Sequence, residues 1–304
     1  MSLEPGNTPL VRLDRLNTNP RLRLWAKLEG YNPSGSAKDR TAHAMLSAAD
    51  LQPGAVIVES SSGNLGVAMS REAVLGGWTF HCVVDPRANR TTVATMRAFG
   101  AIVHEVTEPD PETGDWLAAR RARVAELLSE LPDAVCLDQY SNQAAFTAHD
   151  DGTMREIVEQ LGHAPDHLLV AVSTTGTIGG CLRRIRREGL STQVIAVDAE
   201  GSVLFDGTRG TRHLPGFGAG VVPELAASVI PDRIERVSDR ESVAGARQLA
   251  QTEGILCGAS GGAVVAVVDK LLPDLAGDVV LVLHDGGTNY VDTIFNDDWV
   301  EETL

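Results

Sequence analysis

The chain has 304 residues, 43% apolar and 22% charged, with a formal net charge of −15. That length and apolar content suit one large or two medium folded domains and exclude a disordered chain. The acidic balance excludes a nucleic-acid partner, because phosphate backbones reward a basic surface.

In chain order, β-rich runs at residues 55–59, 81–85, 102–106, 168–173, 194–198 and 279–283 alternate with helical patterns at 39–50, 65–75, 92–99, 116–130, 153–161, 179–188 and 262–272. Such alternation means parallel strands joined by helices, an α/β fold. A break near residues 140–148 separates two strand–helix series and marks the candidate domain boundary. Cys82, Cys136, Cys181 and Cys257 are widely spaced, form no CxxC pair and follow no secretory signal. They are expected to be reduced thiols in or near the core of a cytoplasmic protein. No apolar run approaches the roughly 20 residues that cross a bilayer, so no membrane partner is expected.

Several segments lie where a strand meets a helix, the rim at which open parallel sheets bind ligands. Asn32-Pro33-Ser34-Gly35-Ser36-Ala37-Lys38-Asp39-Arg40 opens with turn formers and ends on a helix start. A lysine gains nothing from the helix dipole at that end. For an imine-forming lysine the position is useful, since positive potential and partial burial keep the amine neutral and nucleophilic.

The strand at 55–59 runs into Ser60-Ser61-Ser62-Gly63-Asn64-Leu65-Gly66 and a helix. Hydroxyls and free amides there make an anion cradle suited to a carboxylate, although serine-rich loops are more often plain caps and turns. Ser173-Thr174-Thr175-Gly176-Thr177-Ile178-Gly179-Gly180 follows the strand at 168–172. It lacks both the Gly-Lys-Ser/Thr ending of a nucleotide P-loop and a GxGxxG fingerprint, yet its amides and hydroxyls can cradle a phosphate. Arg183, Arg184, Arg186 and Arg187 beyond it read as a solvated face.

These segments, together with Gly6-Asn7-Thr8-Pro9-Leu10 and Gly254-Ile255-Leu256-Cys257-Gly258-Ala259-Ser260-Gly261-Gly262-Ala263, resemble the cysteine synthase and cystathionine β-synthase family of fold-type II pyridoxal-phosphate enzymes. The resemblance runs from Gly6 to Trp299. It implies two domains, each with a mostly parallel twisted sheet flanked by helices, as in the tryptophan synthase β chain. Residues 1–10 and 33–141 would form a smaller mobile domain that grips the substrate carboxylate. Residues 11–32 and 142–304 would form a larger domain that binds the cofactor phosphate.

The same resemblance implies pyridoxal 5′-phosphate as cofactor, with Lys38 as its Schiff-base residue and α-proton base. Ser61, Ser62 and Gly63 would take the substrate carboxylate and Asn64 the cofactor 3′-oxygen. Ser173, Thr174, Thr175, Gly176 and Thr177 would form the phosphate cup. Ser260 would meet the pyridine nitrogen, and it also reads as a helix N-cap.

Three positions depart from the cysteine synthase pattern: Leu65 replaces threonine, Ser173 replaces glycine, and Tyr140 after Gln139 replaces phenylalanine. The last two add hydroxyls near the leaving group, and phosphate accepts several hydrogen bonds. With Leu214-Pro215-Gly216-Phe217-Gly218-Ala219-Gly220, these features resemble a siderophore and antibiotic branch of the family. Its members condense O-phospho-L-serine with L-glutamate on the way to L-2,3-diaminopropionate. On that resemblance Gln139, Tyr140 and Gly216 face substrate, and a homodimer is expected. Arg212 and His213 either meet the second substrate's carboxylates or are ordinary exposed charges. The rival expectations are a cysteine synthase using O-acetylserine or O-phosphoserine with sulfide, and a catalytically silent cofactor-binding or interaction protein.

Overall fold

The computed structural model describes residues 3–17 and 19–304. Its strands are β1 (Leu10–Leu13), β2 (Leu22–Leu28), β3 (Val56–Ser60), β4 (Thr79–Val84), β5 (Ile102–Glu105), β6 (Ala134–Val135), β7 (His167–Ala171), β8 (Gln193–Ala199), β9 (Arg233–Val237) and β10 (Gly277–Leu283). Its helices are α1 (Lys38–Ala48), α2 (Asn64–Gly76), α3 (Arg90–Ala98), α4 (Trp116–Glu130), α5 (Ala144–Ala148), α6 (Arg155–Leu161), α7 (Gly176–Glu188), α8 (Asp239–Glu253), α9 (Ala259–Leu271) and α10 (Asp297–Thr303). The strands form two sheets, ordered β1-β2-β10-β7-β8-β9 and β5-β4-β3-β6. Among the pairings of these strands within the described residues, β1–β2 is antiparallel and the rest are parallel.

The central strands of the larger sheet are apolar on both faces because helices cover both. Leu169, Val279 and Leu281 pack with α8 and α9, while Leu168, Val170, Val280 and Val282 pack with α5 to α7. In the smaller sheet Ile57, Phe80, Cys82 and Val84 face α1 to α3, and Val58 and Val83 face α4. This period of two inside each strand is the signature of a sheet buried on both sides.

Helices α8 and α9 cross at two glycines. A Cβ on Gly245 would meet the Gly262 carbonyl oxygen at 2.2 Å, and one on Gly262 would meet the Ser242 carbonyl at 2.0 Å. No side chain fits there, so the pair sets the depth at which α9 enters the core. Ser238 and Glu241 start α8 with a reciprocal capping box.

A buried ion network joins the start of the chain, β2, α1 and α6. Arg40 donates to Glu29 Oε2 and to both Glu156 oxygens, each at 2.7 Å. Lys27 Nζ donates to Glu156 Oε2 and the Thr8 carbonyl, each at 2.7 Å. Burial opposes ionisation of Glu156, yet Arg40 and Lys27 outweigh it and hold the carboxyl down at about 2.

The observed elements add strands β1, β2, β6 and β9 and helices α5, α8 and α10 to those read from the sequence, and they correct that reading at several points. Helices α7 and α9 each begin three residues before the expected starts at Gly179 and Gly262, so Gly176, Thr177 and Ser260 lie in first helical turns. The reason is that glycines depress helix propensity in the sequence, whereas here small residues let the helix ends approach neighbouring segments. The helix expected from Thr153 is a π-turn over His149–Met154 followed by α6. Cys82, Cys181 and Cys257 are buried as expected, but Cys136 is exposed just after the two-residue edge strand β6.

Candidate active site

A cavity of about 570 Å³ opens at the carboxyl ends of the strands. It is lined by Lys38, Ser61, Ser62, Gly63, Asn64, Gln139, Tyr140, Ser173, Thr174, Thr175, Gly176, Thr177, Gly216 and Ser260, so the fold brings together every candidate residue named above. Arg212 and His213 line it too, whereas the α7 arginines do not. Arg184 and Arg187 are ion-paired instead with Glu188, Asp150 and Asp151.

Lys38 is the first residue of α1. Its amine makes no hydrogen bond or ion pair among the described residues, and burial alone pushes it down to about 8. Helix α1 is fixed on two sides. Arg40 locks it into the ion network, and Thr41 Oγ1 lies 3.2 Å from His149 Nε2. The same His149 nitrogen lies 3.2 Å from Thr177 Oγ1, so one buried imidazole ties the lysine helix to the start of α7. Burial, then the charges of Lys38 and Arg40, keep His149 well below its ordinary range and therefore neutral. His284, also lining the cavity, is pushed down to about 3 by burial and by Lys38.

The serine loop leaves its donors free. Ser61 Oγ accepts the Gly66 amide at 3.0 Å, and Ser62 Oγ accepts the Asp85 amide at 3.3 Å and Arg120 Nη1 at 3.0 Å. Both hydroxyl protons therefore remain available to an incoming carboxylate. Gly63 caps α2, and nothing lies within 4 Å of where its Cβ would stand, so the cradle is open there. Asn64 Nδ2 donates to Asp285 Oδ2 at 2.8 Å, and Tyr290 Oη donates to the same oxygen at 2.6 Å.

At the other loop, Thr175 is held in the left-handed region at φ +65°, a strained state for a β-branched residue. Its side chain does not cap α7, and its buried Oγ1 has no partner among the described residues. The amides that open α7 are likewise left for an anion. Ser173 Oγ donates to the Gly218 carbonyl at 3.0 Å, while the Gly218 amide donates to the Val172 carbonyl at 2.6 Å. Ser173 thus pegs the threonine loop to the glycine loop.

Ser260 is the second residue of α9 and is buried. The cap of that helix is Gly258, so the N-cap reading of Ser260 is wrong by two residues. A Cβ on Gly258 would meet Asp285 Oδ1 at 2.2 Å, so only glycine admits the carboxylate beside the helix start. Asp285 Oδ1 is itself buried without a hydrogen-bond partner among the described residues.

The sequence reading missed Arg120, Asp285, His149 and His284. Arg120 is one of three arginines in Arg120-Arg121-Ala122-Arg123 and is buried, unlike its neighbours. It forms an ion pair with Asp85 Oδ2 at 3.1 Å and reaches Ser62, inside the cavity wall. Only its place on the inward face of α4 distinguishes it. Among the described residues no group of His, Cys, Asp and Glu side chains is placed to hold a metal, and no helix is long and apolar enough to cross a membrane.

The orphaned Thr175 hydroxyl, the open α7 amides, the unpaired Lys38 amine and the buried Ser260 fit a phosphorylated aldehyde cofactor. Comparison with known proteins agrees. A family model described as "Pyridoxal-phosphate dependent enzyme" matches residues 1–286. The N-(2-amino-2-carboxyethyl)-L-glutamate synthase of Ralstonia nicotianae is 40% identical over 301 residues, covering 97% of this chain and 89% of that protein. Among solved structures, O-ureido-L-serine synthase superposes with a TM-score of 0.87 at 27% identity, covering 98% of this chain and 97% of that one. The O-acetylserine-dependent cystathionine β-synthase of Helicobacter pylori gives 0.86 at 26% identity, covering 95% of each. The chain accordingly belongs to the pyridoxal-phosphate-dependent enzymes, with the fold-type II architecture, pyridoxal 5′-phosphate as cofactor and an amino-acid synthase activity.

Proposed function

We propose that the enzyme replaces the phosphate of O-phospho-L-serine with the amine of L-glutamate, giving N-(2-amino-2-carboxyethyl)-L-glutamate and phosphate on a route to L-2,3-diaminopropionate. The observation that carries the reading is Arg120, a buried guanidinium set against the Ser62 hydroxyl in the cavity wall. The serine loop alone suits an α-carboxylate, and an acetate leaving group needs no further cation. A phosphate does. The 40% identical relative bears the name of this activity.

In this reading Ser61, Ser62 and the amides at the start of α2 bind the α-carboxylate. Asn64 orients the cofactor ring, Ser260 meets its nitrogen, and the loop 173–177 holds its phosphate. When bound, the cofactor supplies an electron sink that makes the α-proton acidic and lets the β-substituent depart. Lys38 takes the α-proton at Nζ and later returns it. Arg120 offsets the charge of the departing phosphate, and Tyr140, another residue of the cavity lining, donates a hydrogen bond to it. The Ser173 proton is engaged by Gly218, so that residue acts by placing the glycine loop.

The segments 1–10 and 33–141 are proposed to close on the rest when carboxylate binds and to exclude water. A homodimer acting in the cytoplasm remains part of the proposal. The direct test mixes holoenzyme and O-phospho-L-serine with either L-glutamate or sulfide, following phosphate and the amino-acid product. Phosphate release with glutamate incorporation supports the reading, and product formation with sulfide alone makes the protein a cysteine synthase. No phosphate release at all would leave an O-acetylserine-dependent cysteine synthase or the silent binding protein, which turnover of O-acetyl-L-serine with sulfide separates.

A further inference from the structure

Besides Lys38 and His284, four basic side chains line the cavity: Arg87, Arg120, Arg212 and His213. Three are engaged. Arg87 chelates Asp85 through Nε and Nη2, each at 3.0 Å. Arg120 holds Asp85 and Ser62. His213 lies 3.1 Å from Asp239. Arg212 alone of the four makes no hydrogen bond or ion pair to a described residue, although Asp198 and Asp239 act on it at longer range.

Its guanidinium lies along the bare glycine loop. A Cβ on Gly218 would come within 2.9 Å of Nη1, and one on Gly220 within 3.4 Å of Nη2. Partial burial without a partner disfavours its charge, and an anionic ligand is what compensates such a cation. The α-carboxylate and phosphate of the first substrate are already matched by the serine loop and by Arg120, both in the smaller-sheet half. Arg212 stands on the segment after β8, in the other half.

We infer that Arg212 receives the side-chain carboxylate of the incoming amine, so that the second substrate is selected as an acidic amino acid. This rests on the amine-transfer reading above. It adds a specificity residue and excludes neutral amino acids as efficient nucleophiles.

The test compares wild-type holoenzyme with Arg212→Gln and Arg212→Lys. Glutarate, a dicarboxylate with no amine, is titrated calorimetrically into each. Its affinity is expected to fall about tenfold in Arg212→Gln and by less in Arg212→Lys, the size of one lost charge-assisted hydrogen bond. In turnover, KM for L-glutamate should rise about tenfold in Arg212→Gln while KM for L-glutamine is unchanged. Phosphate release without any amine reports that each variant is folded. Glutarate affinity equal within twofold in all three proteins overturns the inference. Should wild-type enzyme accept sulfide but not L-glutamate, the amine-transfer reading fails, and glutarate binding still decides whether Arg212 is an acidic-ligand site.

Discussion

Asn64 and Asp285, 221 positions apart in sequence, are joined by a 2.8 Å hydrogen bond that spans the two sheet layers. One leads α2 beside the smaller sheet; the other follows β10 of the larger. Asp285 is buried and its carboxyl is pushed up by that burial, so the bonds from Tyr290 and Asn64 are what favour its charged form. The carboxylate fixes the Asn64 amide, and in the proposed reading the second N–H of that amide is left for the cofactor ring.

Replacing Asp285 with Asn should therefore weaken cofactor binding by about 10- to 100-fold, the range of one or two hydrogen bonds to a charged group. Titration of cofactor-free protein with pyridoxal phosphate, read by absorbance, measures it. Tyr290→Phe removes only one donor and should cost less. Equal affinity in all three proteins would show that Asp285 does not position Asn64.

The unpaired Lys38 amine makes the cofactor-free protein pH-sensitive. Its folded pKa, about 8, lies below the ordinary 10.5, so the unfolded chain binds the proton more tightly. The cost to stability is full below pH 8 and disappears as pH rises from 8 to 10.5, on the order of 3 kcal/mol. Lys38→Met should abolish turnover yet raise the denaturant midpoint of cofactor-free protein at pH 7, with the gain vanishing near pH 10.5. A variant less stable than wild type at pH 7 contradicts the burial cost.

The network of Lys27, Arg40, Glu29 and Glu156 holds two cations and two anions in the core. Glu156→Gln strands a positive charge there, and a loss of about 3–5 kcal/mol is expected in chemical denaturation. Because the Glu156 carboxyl is depressed from 4.5 to about 2, its contribution is complete above pH 4.5 and is lost as pH falls toward 2. Wild type and variant should thus converge in stability at the acid end. Parallel curves down to pH 2 would refute the assignment.

Arg120 offers the sharpest test of leaving-group choice. Arg120→Gln should reduce kcat/KM for O-phospho-L-serine about 100-fold, as expected for one charge-assisted contact made to the departing group. O-acetyl-L-serine turnover should change by less than about tenfold. Equal losses with both substrates would instead place Arg120 as a support for Ser62 and the carboxylate loop.

Much of this was legible before the fold was known. Lys38, Asn64 and the loop 173–177 sit beside strand ends, and short-range pattern is enough to place such loops on a common rim. The alternating β-rich runs likewise foretold the two parallel arrays. Arg120, Asp285 and His149 were not legible, because each has partners far away in sequence that only the fold brings beside it. His149 lies on a π-turn that periodicity treats as helix, and Arg120 differs from Arg123 only in the direction α4 turns it. Helices α7 and α9 hid their first turns behind glycines whose value lies in close approach, a property of neighbours and not of the chain itself.

Gly218 is gripped through both its amide and its carbonyl by residues 172 and 173, the threshold of the threonine loop. On the proposed assignment of the two loops, cofactor tail and visiting amine would share a hinge-pin. Remodelling residues 216–220 to admit bulkier nucleophiles would loosen the seat of the prosthetic group at the same stroke, so catalysts of broader scope built on this scaffold should be selected for cofactor retention alongside turnover.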